Sequence, residues 1–235
     1  MIPKTIHYIW LGKNKKPENF PEVLKSWNNF AEGFEIKEWN EGNFSEFDLP
    51  PYFFYLLKNK KWAFASDVLR FFILDKYGGV YLDVDQVLIK DINLLWEKYL
   101  QNKSFFISKY HQSDTYFGFG FIGQKKNFIF SKKMIDYYNS YKKEDYNKSV
   151  IVNKVGSEII VSLSNTNEFK DEMKIFSQDY FYPLAGLCEY TENSFSYHKS
   201  NVSWQPKWKK FLYRFKIYFW LKEKLKKFLP KQIEY

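Results

Sequence analysis

Cysteine is almost missing from this 235-residue chain. The single Cys188 cannot close an internal disulfide, which excludes a disulfide-stapled scaffold and fits a reducing compartment. As a lone residue it reads as a small core side chain rather than a nucleophile. No removable apolar leader opens the chain, because Ile2-Pro3-Lys4 leads directly into the strand-like Thr5 to Trp10. The expectation is a cytoplasmic protein. No internal repeat or low-complexity linker is visible, and no G-x-G-x-x-G precedes a helix, so the dinucleotide fingerprint is absent. Disorder is excluded too, since 45% hydrophobic and 22% aromatic residues can bury a full core as one domain.

A basic main body is also lacking. The net charge of +9 is concentrated in residues 207 to 231, which hold ten Lys or Arg and one Glu, and the rest of the chain is neutral. A nucleic-acid-binding main domain is therefore not implied. In the same segment Trp208, Phe211, Leu212, Phe215, Phe219, Leu225 and Phe228 keep helical spacing among the lysines. Its interspersed charges exclude a membrane-spanning helix. A basic amphipathic helix rich in Trp and Phe suits an anionic membrane surface, and a helix packed on the domain with its lysines in water is the other reading.

What the chain does contain is centred on Lys61 to Gln86. Ala65, Leu69, Phe72, Ile73 and Tyr77 form the apolar stripe of a helix, which Gly78-Gly79 ends. Val80, Tyr81, Leu82 and Val84 then read as a buried strand finishing in Asp83-Val84-Asp85. Two carboxylates at a buried strand end need a cation, and the simplest is a hard divalent metal. A solvated turn would carry the same spelling. On the preceding helix Asp67 and Arg70 share a face three residues apart, either as a local salt bridge or as an acceptor and a fork of donors beside the acids.

The order of elements gives the fold class. Thr5 to Trp10 reads as a strand, Pro21 opens a helix with Val23, Leu24 and Trp27, and Phe34 to Trp39 alternates as a second strand. A short aromatic helix, Tyr52 to Asn59, precedes the central stretch. This rhythm predicts an α/β domain with a largely parallel sheet, whose ligands bind outside the carboxyl ends of the strands. Further on, Asp91 to Tyr99 reads as helix and Ser104 to Ser108 as strand. Phe117 to Gly123 reads as a glycine-interrupted strand that lets a ligand or another backbone come close, and Phe128 to Tyr141 and Gly156 to Leu163 read as helices. Ser177 to Ser203 reads as short strands and turns.

IPKTIHYIWLG at the start, WAFASDVLRFFILDKYGGVYLDVD in the middle and ENSFSYHKSNVSW near the end together resemble glycosyltransferase family 32. These are DxD enzymes of bacterial capsule and lipopolysaccharide assembly and of yeast outer-chain mannosylation. A more distant likeness is to the glucosylating domain of large clostridial toxins. The resemblance covers residues 1 to 204 and implies a GT-A fold, a Rossmann-like mostly parallel sheet flanked by helices, with residues 205 to 235 as a basic amphipathic C-terminal tail. It implies a nucleotide-sugar donor, with UDP favoured over GDP, a divalent ion, and transfer of a hexose with retention to a glycan or lipid-linked glycan.

By the same resemblance Asp85 is the direct metal ligand, Asp83 touches the ribose or a metal-bound water, and His198 is the third ligand. An imidazole beside carboxylates favours Mn2+ over Mg2+. Asp67 and Arg70, with Ser66 beside them, match positions that hold the donor sugar. Trp10 matches a ring on which the base stacks, and Trp204 one that closes over the diphosphate. No residue stands out as a general base, which is compatible with the leaving phosphate taking the acceptor's proton. The tail would place the enzyme on the inner face of the cell membrane.

Two other readings stay open at this stage. Leu82 to Val87 also fits the opening motif of haloacid-dehalogenase-like phosphatases, whose later acidic pair would be Glu144-Asp145 or Asp171-Glu172. A non-catalytic membrane-associated scaffold with structural acids is the third.

Overall fold

The computed structural model describes residues 1–110, 113–146, 152–183 and 188–199. Trp204 and the basic segment 207–231, with its expected amphipathic helix, lie outside the described residues.

Strand β1 (Thr5–Ile9) is followed by helix α1 (Phe20–Phe30) and strand β2 (Glu35–Trp39). Helices α2 (Pro51–Lys58) and α3 (Trp62–Tyr77) lead into strand β3 (Gly79–Leu82). Pro21 and Pro51 sit in the first turns of α1 and α2, where a missing N–H costs nothing. α3 ends because Gly78 and Gly79 take positive φ, +67° and +93°. A Cβ on Gly79 would also lie 2.6 Å from the Thr5 carbonyl oxygen, so the chain reverses closely against β1.

The second half adds a short strand β4 (Gln86–Leu88), a helical turn α4 (Asn93–Leu95) continued by a wider turn to Leu100, and strands β5 (Phe105–Lys109) and β6 (Phe117–Gln124). Helices α5 (Ile129–Asn139), α6 (Val152–Ser164) and α7 (Asn167–Lys170) precede strands β7 (Met173–Phe176) and β8 (Ser196–His198).

Six strands make one sheet in the order β2-β1-β3-β6-β5-β7. β1 pairs in parallel with β2 and β3, and β5 with β7; β6 alone runs antiparallel to both its neighbours. The expected mostly parallel sheet is therefore present. β3 is buried along its whole length, as a strand covered on both faces must be. On one face Phe71, Phe130 and Tyr138 pack with Phe105 and Phe119; on the other Trp27, Val80 and Leu82 pack with Phe106 and Phe121.

The space left by three glycines of β6 is taken by the protein's own side chains. A Cβ on Gly118 would meet the Tyr182 ring, one on Gly120 the Asp83 carboxylate, and one on Gly123 the Phe106 ring. The strand is cut away to fit the protein's own side chains. The helix expected over Asp91 to Tyr99 is shorter at its start, because Asp91 accepts from the backbone N–H of Asn93 as a turn acid.

β4 and β8 form a separate antiparallel pair, Gln86 opposite His198, Val87 opposite Tyr197 and Leu88 opposite Ser196. This small ribbon lies directly after the acidic motif and carries His198 to it.

Candidate active site

The carboxyl end of β3 releases the chain into a turn, Asp83 to Gln86, closed by the Gln86 N–H to the Asp83 carbonyl at 2.9 Å. The Asp83 N–H donates to the Gly120 carbonyl at 2.8 Å, which fixes the first acid against β6. Asp85 follows at the start of β4, and the Lys199 N–H donates to its carbonyl at 2.9 Å. The two acids are thus held by backbone bonds to two different sheets.

His198 Nε2 lies 2.9 Å from Asp85 Oδ1 and 3.6 Å from Asp83 Oδ2. Burial disfavours the charged ring, but Asp85 and Asp83 outweigh it and raise His198 to about 10. The imidazolium balances the acids in this arrangement. One ligand atom from each of Asp83, Asp85 and His198 lies within 4.8 Å of the others. Two carboxylates and an imidazole form a donor set for a divalent ion of intermediate hardness, so the residues fit the expected metal. The strand pairing also sets the register that places His198 opposite the motif.

Beside the acids stands Arg70. Its Nη1 donates to the Phe119 carbonyl at 2.7 Å and its Nη2 to Asp67 Oδ1 at 2.5 Å, with Asp83 Oδ1 at 3.5 Å. The guanidinium lies 4.3 Å from the centroid of the Tyr81 ring, and the Tyr81 hydroxyl donates to Asp83 Oδ1 at 2.8 Å. The i, i+3 spacing of Asp67 and Arg70 has become a part-buried ion pair whose guanidinium also reaches Asp83. Burial raises the Asp67 carboxyl to about 6, against the pull of Arg70 and with a push from Asp83. Burial also works against ionisation of Asp83, but Arg70 and then His198 and Tyr81 hold its carboxyl well below the usual range. The two acids flanking one arginine are therefore unequal, and Asp83 is the firmly charged member.

The structure brings together Asp67, Arg70, Asp83, Asp85 and His198. Ser66 is on the same helix, but its hydroxyl donates to the Trp62 carbonyl at 3.1 Å, leaving only acceptor capacity for a ligand. Trp10 follows β1 at the same edge of the sheet and is half-buried. Its indole N–H donates to the Asn14 carbonyl at 2.7 Å, so only the ring face could serve a ligand. Trp204 is outside the described residues.

Sequence reasoning missed Tyr81, Gln86 and Tyr182. Tyr81 could have been found, since residues two apart on a strand share a face and Asp83 is its partner on that side. Tyr182 could not: its hydroxyl accepts the Phe121 N–H at 2.8 Å and its ring stands 6.3 Å from His198, contacts across long stretches of chain.

Fold and site resemble those of DXD glycosyltransferases. Residues 17–105 match the family described as "Glycosyltransferase sugar-binding region containing DXD motif", a span that contains Asp67, Arg70, Asp83 and Asp85. Among curated proteins, the chain is 36% identical over 87 residues to inositol phosphoceramide mannosyltransferase 3 of Schizosaccharomyces pombe, covering 36% of this chain and 24% of that protein. It is 25% identical over 223 residues to an uncharacterized glycosyltransferase, L373, of Acanthamoeba polyphaga mimivirus, covering 88% and 85%. The chain thus spans about a quarter of the length of the yeast relative and most of the viral one.

Among solved structures, the PaToxG glycosyltransferase superposes with a TM-score of 0.53 at 18% identity over 73% of this chain and 74% of that one. The fold is of GT-A type. Of the downstream acids that the phosphatase reading requires, Glu172 is engaged by Lys125 at 2.6 Å.

Proposed function

We propose that this protein transfers a hexose from a nucleoside-diphosphate sugar to a glycan or lipid-linked glycan, in a divalent-metal-dependent reaction of polysaccharide or lipopolysaccharide assembly. The observation that carries the reading is the meeting of Asp83, Asp85 and His198 beside the Asp67 and Arg70 pair. Asp85, His198 and Asp83 would hold the ion, with Mn2+ suiting the mixed oxygen and nitrogen set better than Mg2+. When bound, the ion supplies positive charge to the departing diphosphate.

The remaining work falls to the chain's own groups. Asp67 presents a carboxylate that accepts from vicinal sugar hydroxyls, and Arg70 donates from a rigid fork, a recognition pattern tied to hydroxyl positions rather than to bulk. Tyr81 and the Phe119 carbonyl hold Arg70 and Asp83 so that neither must reorganise during transfer. The face of Trp10 is the proposed platform for the base, and Trp204 the proposed cover for the diphosphate. UDP-hexoses are the expected donors and GDP-hexoses the alternative, with the anomeric configuration retained. The yeast relative's name specifies a mannosyl transfer to a sphingolipid, which supports a hexose donor and a lipid-borne acceptor here.

The basic aromatic segment 207–231 supports a place on the anionic inner face of the cell membrane, each cation contributing on the order of 1 kcal/mol. A panel of UDP- and GDP-hexoses, assayed for hydrolysis and transfer with Mn2+, Mg2+ or chelator, tests the reaction. Turnover that persists in chelator and in Asp85→Ala would remove the metal from it. Truncation after residue 206 should release the protein from anionic vesicles while donor hydrolysis continues; retained vesicle binding would discard the membrane proposal.

A further inference from the structure

His198 reaches the acids only because β8 pairs with β4, and that ribbon has just three residues in each strand. Two short strands are marginal by themselves in water. Something must hold them in register.

The fully buried Gln86 side chain does so in the structure. Its Nε2 donates to the Phe181 carbonyl at 2.8 Å and to Ser196 Oγ at 2.7 Å, and the Ser196 hydroxyl donates to the same carbonyl at 3.2 Å. On the other side, the Trp27 indole N–H donates to the Gln86 carbonyl at 2.8 Å. One residue next to Asp85 therefore binds α1, the segment at Phe181 and β8, and it lies opposite His198 in the ladder. The orientation of the amide is set by its partners, because the Phe181 carbonyl can only accept. The other amide atom, Oε1, is buried with no hydrogen-bond partner among the described residues. That burial carries a desolvation cost which an apolar residue would avoid.

We propose that Gln86 is the positioning residue of the metal triad: its carboxamide locks β8 onto β4 and so keeps His198 within reach of Asp85. The inference rests on the metal-dependent reading above. It assigns the role to a side chain that does not itself face the ion.

A natural control exists in Gln124. It is equally buried, donates from Nε2 to the Leu74 carbonyl at 3.2 Å and to Ser131 Oγ at 2.8 Å, and also leaves Oε1 unpaired. It lies at the other end of the β3–β6 pairing, facing Gly79 where Phe121 faces Leu82. Loss of either amide removes the same chemistry from the core, but only one is tied to His198.

The test is direct Mn2+ binding to the full chain, by electron paramagnetic resonance of free Mn2+, with and without UDP, alongside thermal unfolding. Gln86→Met should weaken Mn2+ about tenfold or more, in the range of losses from removing groups that orient metal ligands. Ser196→Ala should weaken it in the same direction, and Gln124→Met should lower the melting temperature without changing affinity. Wild-type affinity in Gln86→Met, or an equal loss in Gln124→Met, overturns the proposal. If Gln86→Met does not fold, Ser196→Ala decides alone, and unchanged affinity there counts against it. Wild-type protein that binds no Mn2+ under either condition refutes the metal reading itself, a result distinct from failure of the Gln86 variant.

Discussion

Tyr81 gives its hydroxyl proton to Asp83 at 2.8 Å while its ring lies beneath the Arg70 guanidinium. One buried tyrosine thus orients both an acid of the Asp83, Asp85 and His198 cluster and the cation beside it. Tyr81→Phe keeps the ring and deletes the donor. It should cost about 1 kcal/mol of stability and lower kcat/KM by about tenfold, measured by urea unfolding and donor hydrolysis. Unchanged kinetics would show that Asp83 does not need this bond.

Arg70 cannot be replaced by another cation. Its fork serves Asp67, the Phe119 carbonyl and Asp83 from one plane, which a single ammonium cannot match. Arg70→Lys should fold with reduced stability and lose about a hundredfold in kcat/KM, on the order of 3 kcal/mol. Arg70→Ala leaves Asp67 facing Asp83 with no cation between them, His198 meeting only Asp83 of the two, and should destabilise by about 3 to 5 kcal/mol. Steady-state kinetics and equilibrium unfolding on the pair of variants separate the two effects.

Two glycines of β6 should respond in opposite ways to the same substitution. A Cβ at Gly123 would lie 2.1 Å from the fully buried Phe106 ring, so Gly123→Ala should cost about 1 to 3 kcal/mol of stability. A Cβ at Gly120 meets the free end of a side chain, Asp83 Oδ2, at 2.5 Å. Gly120→Ala should unfold near the wild-type temperature but lose most of its activity, because the carboxylate turns away. Calorimetry and the hydrolysis assay distinguish the pair.

His7 makes stability depend on pH. Its Nδ1 accepts from the Trp39 indole N–H at 3.1 Å, so Nε2 carries the proton and donates to the Gly78 carbonyl at 3.0 Å. Burial pulls its pKa from 6.5 to about 4, with the Gly78 bond opposing and Lys37 assisting. Between those values the unfolded chain binds the proton and the folded one does not. The contribution is therefore complete above about pH 6.5 and is lost as the pH falls towards 4, by about 3 kcal/mol in total. Urea unfolding at half-unit intervals should show this slope in wild type and a flatter one in His7→Gln.

Much of this architecture was legible in the sequence because long periodic segments declare themselves. The stripe on α3, the Gly78-Gly79 stop and the apolar run of β3 fixed where Asp83 and Asp85 would emerge. Asp67 and Arg70 were readable as neighbours because helical geometry brings residues three apart together. The ribbon of β4 and β8 was not, since three-residue strands carry too little alternation to be seen. β7 was hidden for the same reason, with only four residues and a lysine among them. His198 was identified by resemblance, and its register became clear only when Gln86 was found opposite it. The glycines of β6 were recognised as space, but sequence alone could not say that Tyr182, Asp83 and Phe106 fill it.

The ribbon joining β4 to β8 sets a clock on the assembly of the site. Gln86 and Ser196 are 110 residues apart, so a nascent chain that has already exposed its acidic turn still waits for nearly half of its length before the imidazole arrives. Until then Asp83 and Asp85 emerge from β3 without the imidazole that meets them in the fold, and the cluster is complete only with one of the last described segments to be synthesised.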